Sequence, residues 1–442
     1  MLDLRYRTIL AMAIPLMGST FVQSVVMITD ASFLSRYSTV AFDAAGNGSL
    51  IYITLFIALV GMSDGTQILM ARRIGQKKED LLARIFGTTL FTNLILVLFL
   101  FLLIQWAIPD LILSYTRHSD IAQGQIEFIS IRGYALFFGI ITLSINAYFM
   151  AMGRTLVVLL SAIIIAVSNI GLDYLLIFGN NGFPTMGLKG AAWASTIADG
   201  IGMLFLLIAL TMSSSQKRHK LFSQLSFNFV SMKELLKLGS PIMLQGVVAL
   251  STWTIFFAWI EQTGKHELTI SQNIRSLYFL AFIPIWGLGA TTKTYISQYL
   301  GKGDYASTKI IIRRVQLLTL AFLVLFFHGA ILYPEKLIAL INPNVEYIKE
   351  SADILRFVTG SIIIYGLGSV YFQTINGSGN TRYTFFVELI SVVLYLVTAY
   401  LLIKVYKVDI FWVWLVEYVY FASMGLFSIA YLKFFNWQKK QI

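Results

Sequence analysis

Some twelve apolar segments of helical length, nearly free of charge, run through this chain of 442 residues. Their centres lie near Val22, Phe56, Leu96, Phe138, Ile164, Phe205, Val248, Phe282, Leu323, Ile363, Leu394 and Ala422. A bilayer core takes about 20 apolar residues per helical span. Backbone in hydrocarbon must satisfy its own hydrogen bonds, which leaves only helices and closed barrels. Alternating strand patterns of about ten residues are absent, so a barrel is set aside. Charged residues make up 12% of the chain, about half the share of a soluble domain. The expectation is an all-α membrane protein of twelve transmembrane helices.

Basic residues gather at alternate loops. One side holds Arg72, Arg73, Lys77, Lys78, Arg84, Arg154, Lys217, Arg218, Lys302, Arg313, Arg314, Arg382 and Lys439; the other holds few, such as Arg36, Lys189, Lys265 and Lys336. The positive-inside rule then puts both termini in the cytoplasm, as an even span count requires. The expected location is a bacterial or archaeal cytoplasmic (inner) membrane. The net charge of +11 is assigned to orientation and anionic lipid, and no nucleic-acid partner is expected. Absence of cysteine excludes disulfides, thiolate metal sites and thiol nucleophiles.

The chain reads as two related halves. Ala13-Ile14-Pro15-Leu16-Met17 resembles Gly239-Ser240-Pro241-Ile242-Met243, an offset of 241 − 15 = 226 that also takes Gly61 to Gly287, Gly75 to Gly301 and Gly153 to Gly379. A shared offset over several spans argues for duplication. Six spans per half give the copies the same orientation, related by an axis along the membrane normal. The longest polar stretch, Ser213 to Lys237, is read as the join. The expected organisation is an N-lobe at 1–212, a cytoplasmic linker at 213–234 and a C-lobe at 235–442.

Carboxylates inside the spans carry the functional signal. An ionised carboxylate in hydrocarbon costs on the order of 3 kcal/mol by insertion scales, and persists where it faces a cavity or partner. Asp30 lies in the first span; Asn169 and Asp173, four apart in the fifth, share a helix face. Their oxygens suit a hard cation such as sodium; equally, a desolvated carboxylate can carry a proton. The residues leave both open. Asp30 maps onto Phe256 and Asp64 onto Ala290 under the repeat, so the acids belong to the first half alone. Asp64 and Asp199 are outer-shell candidates, and Glu388 and Glu417 lie in or near spans of the second half. Pro15 and Pro241 interrupt the first span of each half. Small-residue pairs such as Gly61/Gly65 and Gly187/Gly190 suit close helix packing.

Gly182 to Lys189 lacks the lysine position and the following hydroxyl of a P-loop, and His266-Glu267 lacks the second histidine of a zinc motif. No nucleophile elbow occurs. No enzymatic activity and no cofactor is expected, and any transport is ion-driven.

Asn169-Ile-Gly-Leu-Asp173-Tyr-Leu-Leu-Ile-Phe-Gly179 and the following Gly187-x-x-Gly190-Ala-Ala-Trp-Ala-Ser195 resemble the signature of the multidrug and toxic compound extrusion (MATE) family. Ala13-Ile14-Pro15 with Asp30-Ala-Ser-Phe33 is similar to that family's first helix, and Gly377-Ser-Gly379-Asn380-Thr-Arg382 to its tenth-to-eleventh connection. The resemblance implies two six-helix lobes in a V and efflux of cationic or amphipathic compounds against inward protons or sodium. It implies a cation-coupling site at Asp30, Asn169, Asp173 and Ser195, with sodium, if that is the ion, at the first three. The family's second-lobe acids are missing here; the tenth span has Tyr365. The protein is expected to work as a monomer in the lipid bilayer. The rival reading is a lipid-linked oligosaccharide flippase of the same superfamily, weakened because few Arg or Lys fall mid-span.

Overall fold

The structure, a computed structural model, describes residues 2–116, 118–225, 227–440 and 442. Among them are twelve helices long and apolar enough to cross a membrane: α1 Tyr6–Tyr37, α2 Thr39–Gly75, α3 Glu79–Ser114, α4 Ser119–Ala151, α5 Leu156–Leu176, α6 Gly187–Met212, α7 Phe229–Glu261, α8 Lys265–Lys302, α9 Tyr305–Phe327, α10 Val345–Gly377, α11 Thr381–Val405 and α12 Ile410–Phe434. The all-α, twelve-span expectation holds. Length decides it, since each segment meets or exceeds the roughly 20 residues a span needs.

Local chemistry sets the helix ends. Ser38 caps α2 through the Ala41 amide at 3.4 Å, and Asp304 caps α9 through the Ser307 amide at 3.2 Å. Gly153 and Gly379, equivalent under the 226-residue offset, follow α4 and α10 with φ of 74° and 85°. That left-handed backbone favours glycine at both points. The next such pair is unequal: Gly303 has φ 79°, whereas its counterpart is Lys77 at φ 60°.

The helices gather into two compact units, Gly18–Met243 and Met1–Met17 with Leu244–Ile442. These overlap the lobes expected at 1–212 and 235–442 but are a different partition, because the division falls inside α1 and α7. Each break lies within one turn of the internal proline, Pro15 or Pro241, where a backbone hydrogen bond is missing. Helix α7 also begins at Phe229, inside the stretch read as linker. Asn228 starts it early by accepting from the Ser231 amide at 2.9 Å. The linker is anchored as well: buried His219 meets the Tyr148 hydroxyl at 2.7 Å and Glu79 at 3.1 Å.

In the unit containing Gly18–Met243, glycines let helices touch backbone to backbone. A Cβ on Gly61 would lie 2.4 Å from Met243 Cα, and one on Gly190 would lie 2.5 Å from the Leu176 carbonyl oxygen. These contacts draw α2 onto the start of α7, and α6 onto α5. The small-residue reading of the sequence therefore stands.

The other unit centres on a buried aromatic core that includes Phe256, Tyr278, Tyr395, Trp414 and Phe421. The segment Met1–Met17 belongs here. The Leu2 amide donates to Gln298 Oε1 at 3.1 Å, while Tyr299 and Tyr295 donate to the Leu2 and Asp3 carbonyls, each at 2.9 Å. Ile9, Met12 and Ala13 pack against Leu288, Tyr295 and Val315.

Candidate cation site

Five of the six first-half residues singled out from sequence converge inside the Gly18–Met243 unit. Asp30 on α1 faces the Asp173 carboxyl of α5 and the Ser195 hydroxyl of α6. The Asn169 amide donates to Ser195 Oγ at 3.1 Å. Asn169 and Asp173 are 1% and 0% exposed, as their shared face of α5 requires. Asp199, one turn after Ser195 on α6, completes the group. Asp64 is not among the groups that act on Asp30, Asp173 or Asp199; it lies twelve residues beyond Tyr52 on α2, a rise of about 18 Å along the helix.

The oxygens define what the cluster can do. Asp30 Oδ1, Asn169 Oδ1 and both carboxylate oxygens of Asp173 are buried without a hydrogen-bond partner. Three of these atoms belong to the facing carboxyls of Asp30 and Asp173, and the fourth to Asn169, one turn away on α5. Buried polar groups are nearly always satisfied, and an orphaned carboxylate is costly. A proton or small cation is the natural complement to such a set. Among the described residues no three His, Asp or Glu are grouped to hold a metal; the cluster offers two carboxylates and an amide oxygen, a set of the kind that suits a hard monovalent ion.

One member escaped the sequence reading. Arg132 of α4 pairs with Asp199 through Nη1–Oδ2 at 3.0 Å, and its guanidinium lies 4.3 Å from the centroid of the Tyr52 ring. Its side chain is 12% exposed. Near the beginning of a span it reads like a flanking charge. The available signal was an unmatched acid, Asp199, in another span.

The repeat explains why the second half has no such site. Under the 226-residue offset Asp30, Arg132, Asn169 and Asp173 become Phe256, Val358, Tyr395 and Ala399, all in the buried core of the other unit. Phe256 there packs edge-on to Tyr395 and Trp414 at 5.3 and 5.7 Å. That unit buries a different acid: Glu417, 0% exposed, accepts from Tyr278 and Tyr395 at 2.6 and 3.0 Å. Glu388 accepts from Tyr420. Both carboxylates are partnered, unlike that of Asp173.

The MatE family model matches residues 15–175 and again 241–401, two copies at the offset seen in the sequence. The chain belongs to the MatE family. Among MatE relatives, a probable multidrug resistance protein NorM of Thermotoga maritima is 24% identical over 99% of this chain and 94% of its own length. A probable multidrug resistance protein YoeA of Bacillus subtilis is 21% identical over 99% and 95%. The fold matches an outward-facing multidrug resistance MATE transporter of the MOP superfamily with a TM-score of 0.88, at 16% identity, over 99% of this chain and 97% of that one. A MATE crystallised with MaL6 gives a TM-score of 0.87 at 17% identity, over 96% and 94%. The likeness establishes a MatE fold of two lobes in a multi-pass membrane protein.

Proposed function

We propose that this MatE protein is a secondary active efflux transporter, exporting cationic or amphipathic compounds by antiport with protons or sodium ions. The coupling ion binds at Asp30, Asn169, Asp173 and Ser195. The observation that carries this is the set of buried, unpartnered oxygens contributed by α1 and α5 at one place. Such a set has little use in a scaffold and a direct use in holding a cation. The names of the NorM and YoeA relatives support multidrug efflux as the transported class. An ion arriving at Asp30 and Asp173 lowers the negative charge of the cluster, and transport follows only if the two access states differ in affinity for ion and substrate. The proposed setting is the cytoplasmic membrane, with both termini inside and a monomer as the working unit.

The flippase reading is not preferred. The arginine at the cluster, Arg132, is paired with Asp199, leaving the site acid-rich and suited to a cation rather than a phosphate. The test is ethidium efflux from proteoliposomes carrying wild-type or Asp30→Asn protein, under an imposed pH or sodium gradient. Efflux driven by one gradient and lost in the variant is the expected result, and it names the ion. Equal gradient-driven efflux by the variant would end the assignment.

A further inference from the structure

The geometry points to Arg132 as a tethered counter-cation of the site, exchanging between Asp199 and the Asp30–Asp173 pair as the coupling ion comes and goes. This rests on the reading of the cluster as the coupling-ion site.

The charges are unequal. Asp30, Asp173 and Asp199 face one guanidinium, while Tyr52, Asn169 and Ser195 supply only neutral groups. The remaining charges of α4 and α6 toward that end, Glu127 and Lys189, pair with each other at 3.3 Å. Arg132 interacts electrostatically with both Asp30 and Asp173 while hydrogen-bonded to Asp199. A guanidinium carries five N–H donors and stays charged in proteins. Only one of the five is committed, to Asp199, among the described residues.

The oxygens say where the others can go. Asp30 Oδ1 and both Asp173 oxygens lack donors, and Arg132 is the one cationic side chain placed among them. When the coupling ion leaves, two facing carboxylates repel in a low dielectric, and swinging Arg132 toward them relieves the repulsion. When an ion binds, the guanidinium is displaced to Asp199, with which it can pair at 3.0 Å. The flat face of Tyr52 beneath it supports the guanidinium without fixing it to either acid. Such a residue competes with the coupling ion, so it weakens ion binding and speeds ion release.

A purely structural role, in which the Arg132–Asp199 pair only ties α4 to α6, makes a different prediction. Losing either partner would then have the same effect. In the counter-cation mechanism the two losses act oppositely. The experiment measures ethidium efflux in proteoliposomes for wild type, Arg132→Gln, Asp199→Asn, Arg132→Lys and Asp173→Asn, recording maximal rate and the proton or sodium activity giving half of it. Arg132→Gln is expected to lower that activity by about tenfold or more, the effect of removing one charge beside a desolvated pair, and to reduce the maximal rate. Asp199→Asn is expected to raise it, because the released guanidinium stays on Asp30 and Asp173. Arg132→Lys, which keeps the charge, stays nearer wild type and serves if Arg132→Gln folds poorly. Shifts of the same sign for Arg132→Gln and Asp199→Asn, or no shift in either, overturn the inference. Gradient-driven efflux that survives Asp173→Asn overturns instead the assignment of the cluster on which it rests.

Discussion

Asp173→Asn is expected to stabilise the protein while ending coupled efflux. Both carboxylate oxygens of Asp173 are buried without a donor, and the carboxyl of Asp30 faces them. An asparagine keeps the shape, removes one charge and brings an amide N–H toward Asp30. A buried polar group left unsatisfied costs about 1–3 kcal/mol, and a hydrogen bond to a charged group contributes about 1.5–3 kcal/mol. Arg132 already offsets part of the repulsion, so the net gain is placed at about 1–3 kcal/mol. Domains of 150–250 residues shift by about 2–4 °C per kcal/mol, which translates to a rise of about 2–12 °C. The assay is the melting midpoint of purified protein in detergent, followed by intrinsic fluorescence in sodium-free buffer at pH 8. Function is read separately, as ethidium efflux from proteoliposomes. A site built for an ion trades stability for activity, so higher melting should accompany lost transport. A variant that melts below wild type would refute the reasoning about the orphaned oxygens. One that melts higher yet still couples efflux to a gradient would refute their assignment to transport.

Three further outcomes are expected. Gly190→Ala puts a Cβ 2.5 Å from the Leu176 carbonyl oxygen; parting α5 from α6 should cost about 1–3 kcal/mol, stretch the Asn169–Ser195 bond and lower both melting point and efflux. Glu417→Ala strands the hydroxyls of Tyr278 and Tyr395, at about 1–3 kcal/mol for each, whereas Glu417→Gln should lose clearly less; equal melting of the two variants would remove the hydrogen bonds as the cause. The cysteine-free chain allows orientation to be read directly. An impermeant maleimide added to whole cells should label Val345→Cys, at a position 82% exposed, but should reach Lys217→Cys only after lysis, and the reverse pattern would invert the topology.

Twelve spans and the acidic site were legible because hydrocarbon makes polar residues conspicuous. Asp30, Asn169 and Asp173 stand out in runs where each charge carries a cost, and helical spacing alone puts the last two on one face. The repeat added that these acids belong to one half; Phe256, Tyr395 and Ala399 hold the equivalent places in the buried core of the other unit. Asp64 shows the limit of that signal: an acid within a span is conspicuous, but the sequence does not say which groups it will meet. Arg132 was overlooked for a related reason: basic residues near span ends are ordinarily orientation signals, and only the pairing with Asp199, 67 residues away, marks it otherwise. The division within α1 and α7 depends on contacts between distant segments, which no local pattern contains. Its one local trace is a proline in each helix, and proline is common in ordinary membrane helices.

The placement of Met1–Met17 sets a timetable for synthesis. These residues leave the ribosome long before their partners, for Leu2 and Asp3 bond to Tyr295, Gln298 and Tyr299. At about 5–20 residues per second, those partners follow about 15–60 s later. Through that interval the N-terminal end of α1 waits with Ile9 and Met12 uncovered, and it closes only when α8 and α9 have been inserted. A chain stalled before α8 therefore carries Ile9 and Met12 uncovered, a mark by which quality-control proteases can tell an unfinished transporter from a complete one.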